Sequence, residues 1–314
     1  MNTLGRAAEP KRRILGQAET SAAGAERLSI LLVNYNGARY LAPCLESIRR
    51  FAPPGTQVVL EDNASTDGSI EAVEESFPGL QIVRSSRNLG FAGGNNLAGK
   101  MAKGKFILLL NTDTLLLEAL APVVDWLEDH PSYGALTIKM LDGNRIARAC
   151  TGRFPSALRL TLFRFMLVSP QQYADAESYD VDWVQGSFLL MRADLWRTLN
   201  GLDERYFMYA EDVDLCRRIW DAGLKCVYLP HYQYLHWGGF NPSRFPELVC
   251  SHATYVKRHM RGPQLMLCRA VLVGGCFMRA VFYEAKCILL DRLINHTKAE
   301  VSWRAFKTLI WPQA

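Results

Sequence analysis

The sequence predicts an α/β fold: a predominantly parallel central sheet flanked by helices, with a helical tail at the C-terminal end. Three observations carry that expectation. Short continuous apolar runs at 28–33, 57–61, 80–83 and 106–110 suit strands buried on both faces. Segments with helical spacing alternate with them. Polar residues follow each run, and an open parallel sheet gathers such residues along one edge, where ligands bind.

Residues 1–27 are rich in Ala, Gly, Glu and Arg without sustained periodicity, which reads as a disordered leader. They lack the continuous apolar core of a signal peptide. The first strand, 28–33, leads to a helix over 40–50 that Pro53-Pro54-Gly55 stops. The second strand, 57–61, is followed by a helix over 69–77 and a third strand at 80–83. A glycine-rich turn spans 87–96. The fourth strand, 106–110, precedes a helix over 118–129. Beyond it the pattern loosens. Residues 155–182 read as a long insertion, 182–191 as a strand, 212–222 as a helix, and 225–229 and 232–237 as short closing strands. The main domain is expected over 28–260, with a tail over 261–314.

Charge is divided unevenly. Residues 28–256 hold 21 basic and 25 acidic side chains, while 257–314 hold ten basic and three acidic. A mildly acidic body argues against nucleic acid as partner, and a basic apolar tail suits an anionic membrane surface. The longest charge-free stretch near the tail's centre, 270–278, has nine residues, against about 20 for a spanning helix. Two readings of the tail stand: a helix lying on a membrane surface, or a helical hairpin broken at Gly274-Gly275 and packed on the body. Periodicity alone does not separate them. The eight cysteines form no CxxC pair or metal spacing, which fits a reducing, cytoplasmic compartment.

The strand exits hold the chemistry. Asn34 and Asn36 close the first strand and face the crevice, although an Asn-Gly turn accounts for them equally well. Asp62 leaves the second strand, placed to accept hydrogen bonds from a base or ribose; Asp67 and Ser69 suit helix capping. Arg87, Asn88, Gly90 and Asn95 lie in the glycine-rich turn, where backbone can approach a ligand and Arg87 can pair with phosphate. Asn111 and Asp113 close the fourth strand, and Asp113 is the candidate ligand for Mg²⁺ or Mn²⁺ offsetting a diphosphate. Glu211, Asp212 and Asp214 open a helix whose buried side carries Leu215, Cys216 and Ile219. Acids there favour the helix dipole, but a sugar hydroxyl also needs a carboxylate to take its proton. Asp212 is the candidate base, Glu211 the second choice, and Asp214 an orienting or capping group. His236, before Trp237-Gly238-Gly239, could give a neutral nitrogen to the same metal. Trp183, Trp237 and Phe240 could form a sugar platform, or be core.

In combination and order, Val33-Asn34-Tyr35-Asn36, the segments 62–69 and 88–95, Asn111-Thr112-Asp113, Trp183-Val184-Gln185-Gly186 and the segment 211–216 resemble the GT-A glycosyltransferases of family 2, within them the bacterial rhamnosyltransferase-like branch. The resemblance covers about residues 28–260. It implies the GT-A nucleotide-diphospho-sugar transferase fold and an inverting transfer. Asp62 would contact the nucleotide base, Asp113 would be the metal-binding acid and Asp212 the catalytic base. His236 would be an additional ligand, and the Trp183 segment with Gly186 would line the acceptor side. The implied donor is dTDP-L-rhamnose, with a UDP-hexose or another deoxysugar nucleotide as the near alternative. The implied acceptor is a glycan or polyprenyl-linked sugar of surface polysaccharide synthesis, with the enzyme peripheral at the inner face of the cell membrane. Two departures are visible: Asn111 stands where Asp is common, and Glu61 where an apolar residue is commoner. A sugar-phosphate nucleotidyltransferase would need a glycine-rich basic loop after the first strand, and 34–39 is not one. A non-catalytic nucleotide-sugar-binding partner is the contrasting class, against which intact candidates for ligand and base argue.

Overall fold

The structure, a computed structural model, describes residues 26–162, 167–173, 176–239, 241–290 and 293–310. Strand β1 (Leu28–Asn34), helix α1 (Leu41–Phe51), β2 (Gln57–Asp62), α2 (Ser69–Ser76) and β3 (Gln81–Arg84) follow the expected alternation. Next come α3 (Gly90–Gly99), β4 (Phe106–Asn111), β5 (Thr114–Leu116), α4 (Ala121–Asp129) and β6 (Tyr133–Leu141). Short strands β7 (Ala147–Arg148) and β8 (Thr151–Gly152), helix α5 (Ala157–Leu162) and strands β9 (Tyr179–Val181), β10 (Trp183–Val184) and β11 (Phe188–Arg192) lead to α6 (Ala193–Thr198). The chain continues with α7 (Glu211–Asp221), β12 (Lys225–His236), α8 (Phe245–His259), α9 (Gly262–Leu290) and α10 (Leu293–Ile310).

The main sheet has the order β3-β2-β1-β4-β11-β6-β12-β5. Its β3-β2-β1-β4 block is parallel, as is β12 against β6, while β11 runs antiparallel between β4 and β6. The apolar runs become the floor of the core: Ile30, Leu31, Leu32, Phe106, Ile107, Leu108 and Leu109 are fully buried. The parallel block sets the carboxyl ends of β1, β2 and β4 side by side, with Asn34 opposite Asp62 and Val33 opposite Asn111.

Four expectations change. The glycine-rich turn at 87–96 is largely a helix, α3, lying directly on the sheet. A Cβ at Gly94 would fall 2.7 Å from Glu61 Oε2 and 2.8 Å from Val33 Cγ1, so its close approach is to the sheet. The expected strand at 182–191 breaks at Gly186: β10 pairs with β8 in a separate ribbon, and β11 joins the main sheet. The two closing strands are one, β12, with a register shift between Leu229 and Gln233 where Pro230 cannot donate to the ladder. Finally, α9 runs unbroken through Gly274-Gly275, and α9 and α10 pack against each other. By length and composition α9 could cross a membrane. Of the expected leader only residues 26 and 27 are described; residues 1–25, like Phe240, lie outside the described residues.

Glu61 has a place if not a ligand. Its carboxyl group is fully buried under α3, Oε1 accepting from Ser85 Oγ at 2.5 Å and Oε2 having no partner. Burial pushes it up to about 7, against the Ser85 hydrogen bond and with help from the Asp62 charge. A carboxyl raised in the folded state contributes stability below its unfolded value, lost as pH rises towards 7. Glu61→Gln should therefore be more stable than the parent by about 2–3 kcal/mol at pH 8 and equal to it at pH 4. Urea unfolding at the two pH values checks this.

Candidate active site

The exits of β1 and β2 are stitched together before any ligand arrives. Asn34 is fully buried, its amide donating to Ser65 Oγ at 3.0 Å and Ser69 Oγ at 2.8 Å, while its Oδ1 is buried without a partner. Asn36 adopts φ 54° and its Oδ1 accepts from Thr66 N at 2.8 Å. Asp67 accepts from Ala38 N at 2.8 Å and Ser69 N at 3.1 Å, so it braces the two loops instead of simply capping α2. Asp62 is 6% exposed, with Oδ1 accepting from Ser65 N at 3.2 Å. Asn88 accepts from Gly90 N at 2.8 Å, the Gly90 carbonyl accepts from Asn63 at 3.0 Å, and Asn95 donates to Phe91 O at 2.9 Å. These three shape the start of α3, while Arg87 is exposed ahead of it.

At the β4 exit, Asp113 Oδ1 lies 3.1 Å from His236 Nε2, which is 3.4 Å from Asn111 Nδ2. The antiparallel pairing of β12 with β5 sets His236 opposite Thr114 and so delivers it to Asp113. Trp237 N donates to Asp113 O at 3.0 Å, and Met140 Sδ lies 3.3 Å from His236 Nδ1. A Cβ at Gly238 would fall 2.2 Å from Asp113 Oδ2 and 2.7 Å from His236 Nε2, so glycine keeps this space clear. A carboxylate and an imidazole nitrogen in one cradle suit a divalent cation. Among the described residues no third His, Cys, Asp or Glu joins them, so a cation here would take its remaining coordination from a ligand's oxygens.

The acids of α7 divide sharply. Asp212 is 9% exposed; Gly186 N donates to its Oδ2 at 3.0 Å and Val213 N to its Oδ1 at 2.8 Å. Burial raises its affinity for a proton, and the two backbone donors oppose that. Glu211 is 5% exposed with Oε2 unpartnered, and burial beside the Asp212 charge pushes it well above the usual carboxylate range. Asp214 is fully buried and bound by Arg218 at 2.8 Å, Arg258 at 3.1 Å and His259 at 2.7 Å, with the Tyr206 hydroxyl at 3.3 Å. It anchors α7 to α8. Tyr209 and Ala210, just ahead of the acids, both hold φ in the left-handed region, at 70° and 62°. Met208 O, accepting from Ser251 Oγ of α8 at 2.7 Å, and Ala210 O, accepting from Asp214 N at 2.8 Å, help fix this strained turn.

The two acidic sites are linked through Gly186-Ser187. Gly186 N binds Asp212, and the next carbonyl, Ser187 O, accepts from Asn111 N at 3.1 Å. Trp183 is 7% exposed and its indole donates to Arg153 O at 3.1 Å, so its ring is core and offers no open platform. Trp237, 37% exposed, stacks on Tyr40 with ring centroids 5.4 Å apart. Tyr40, Ser187, Gly238 and the α8 residues Ser251, Arg258 and His259 are contributors that sequence reasoning missed. Only Gly238 carried a signal, the Gly-Gly after His236.

The model of glycosyl transferase family group 2 matches residues 106–294, and that of glycosyl transferase family 2 matches residues 29–159. The chain belongs to the family 2 glycosyltransferases. This glycosyltransferase is 28% identical, over 73% of its length and 83% of the relative's, to the N-acetylglucosaminyl-diphospho-decaprenol L-rhamnosyltransferase of Mycobacterium tuberculosis. It is 27% identical to the rhamnosyltransferase WbbL of Escherichia coli K12, over 66% and 82% of the two chains. Among solved structures it resembles the mannosyltransferase PcManGT of Pyrobaculum calidifontis, in complex with GDP-Man and Mn²⁺, at TM-score 0.58 and 18% identity over 93% and 89% of the chains. TarS 1–349 of S. aureus with UDP-GlcNAc is similar at TM-score 0.53 and 17% identity, over 91% and 82%. Those likenesses show the GT-A fold.

Proposed function

We propose that this glycosyltransferase moves L-rhamnose from dTDP-L-rhamnose, with inversion, to a polyprenyl-linked sugar or glycan during surface polysaccharide synthesis, at the inner face of the cell membrane. The observation that carries the chemistry is the short path from Asp212 through Gly186-Ser187 and Asn111 to Asp113 and His236. The donor's nucleoside would lie over the exits of β1 and β2, bounded by Asn36, Asp62 and Arg87. Its diphosphate would lie towards Asp113. Asp113 and His236 would hold Mg²⁺ or Mn²⁺, whose chemistry is to offset diphosphate charge.

Glu211 keeps its proton, because a second buried charge beside Asp212 is unfavourable. Asp212 is then the carboxylate that ionises and accepts the acceptor hydroxyl's proton as that oxygen attacks the anomeric carbon. The bond to the diphosphate breaks as the new glycosidic bond forms. The exposed Trp237 face would meet an acceptor sugar. The sugar and acceptor are supported by the rhamnosyltransferase relatives. Incubation with dTDP-L-rhamnose and a polyprenyl diphosphate-linked N-acetylglucosamine should give a rhamnosylated lipid of anomeric configuration opposite to the donor's. Transfer from a UDP-hexose alone, or retention, would refute the reading.

A metal role for Asp113 and His236 makes Gly238 sensitive. Gly238→Ala should weaken Mn²⁺-dependent nucleotide binding about 10- to 100-fold in calorimetric titration, with a far smaller loss in metal-free unfolding as the Asp113 carboxylate shifts aside.

A further inference from the structure

One face of α9 is left over by everything above. Leu267, Phe277, Met278, Phe282, Ile288 and Leu289 are all exposed, Ile288 at 82% and Leu289 at 78%. At about 100° per residue they share an arc about 140° wide, and at 1.5 Å per residue the stripe runs about 33 Å. Arg269, Arg279, Glu284 and Lys286 all fall outside this arc. Exposed apolar stripes of this size mark an interaction surface. The opposite row, Cys268, Leu272, Cys276, Ala280 and Cys287, is buried, and Cys276 packs with Phe245 and Val249 of α8 and Val301 and Ala305 of α10.

We propose that this stripe docks the enzyme on an anionic lipid bilayer, with α9 lying in the plane of the membrane. Its packed inner row argues for lying in the plane over spanning, since a spanning α9 would have to leave α8 and α10 or draw them into the hydrocarbon. Charge selects lipid over a second copy of the chain: residues 257–314 carry ten basic and three acidic side chains, which repel their own kind and attract anionic headgroups. The Lys286 ammonium lies 4.6 Å from the Phe282 ring, at the edge of the stripe, as a cation reaching for a headgroup does. The docked helix sinks its apolar side about 5–10 Å into the headgroup boundary. Only the purpose of docking, access to a lipid-linked acceptor, rests on the function proposed above.

Flotation of the full chain with phosphatidylcholine vesicles, with and without phosphatidylglycerol, tests this. The parent protein should float with the anionic vesicles and bind about tenfold or more weakly when phosphatidylglycerol is omitted. Combined Met278→Asp, Phe282→Asp and Ile288→Asp should abolish flotation while thermal unfolding and donor hydrolysis persist. Lys286→Glu, which leaves the stripe intact, should weaken the preference for anionic vesicles. Parent protein that floats with neither vesicle, a triple aspartate variant that floats as well as the parent, or a stable dimer that this variant dissociates would each overturn the proposal. Flotation without any sugar transfer would leave docking standing and refute the transfer reading.

Discussion

Asp212→Asn is expected to lower the rate of transfer by about 10²- to 10⁴-fold while leaving nucleotide-sugar affinity unchanged. The amide cannot take the acceptor proton; it fills the same volume, but its one oxygen can keep only one of the two backbone donors, Gly186 N or Val213 N, that separate carboxylate oxygens meet in the parent. Fold stability should change little, because removing a buried charge next to Glu211 offsets the one backbone hydrogen bond lost. In the parent enzyme burial raises the base, so the acidic limb of the pH–rate profile should lie above the ordinary aspartate range. Donor titration and single-turnover transfer on the same preparation separate the two effects. Joint loss of affinity and rate would make Asp212 a structural acid.

Asp214→Asn, two residues on, should do the reverse. Asp214 is fully buried and faces two guanidinium groups and an imidazole from α7 and α8. Removing its charge leaves the largely buried Arg218 short of a counter-ion, while Arg258 keeps Asp203, and costs about 3 kcal/mol. Equilibrium unfolding should show that loss, with activity per folded molecule reduced far less than in Asp212→Asn. The loss also releases α8, which fixes the strained turn ahead of the base through Ser251 and Met208. A stable Asp214→Asn enzyme with no turnover would move the base to this position.

The sheet edge was legible because its signal is local. Apolar runs of four to six residues ending in Asn34, Asp62 and Asn111 predict where parallel strands stop, and the strands stop within one residue of those expectations. The α7 helix was legible for the same reason, its acids and its apolar row lying in one short segment. What stayed hidden depends on distant partners. Asp214 reads as a capping acid until His259, 45 residues on, comes within 2.7 Å. The glycines of α3 read as a ligand loop, because a helix pressed against Val33 and Glu61 needs the same missing side chains as a loop around a phosphate. Trp183 reads as a sugar platform or as core until the pairing of β10 with β8 buries it, and β6 and α8 drew no expectation at all.

The most direct test of the account is a thermal-shift panel of dTDP-L-rhamnose, UDP-glucose, UDP-galactose and GDP-mannose, each with and without Mn²⁺, on the parent enzyme and on Asp113→Ala. A ligand bound only to the folded state raises stability with the logarithm of its saturation. A shift with dTDP-L-rhamnose that requires Mn²⁺ and vanishes in Asp113→Ala is expected. A shift of equal size without metal or in the variant, or no shift with any of the four, would contradict it.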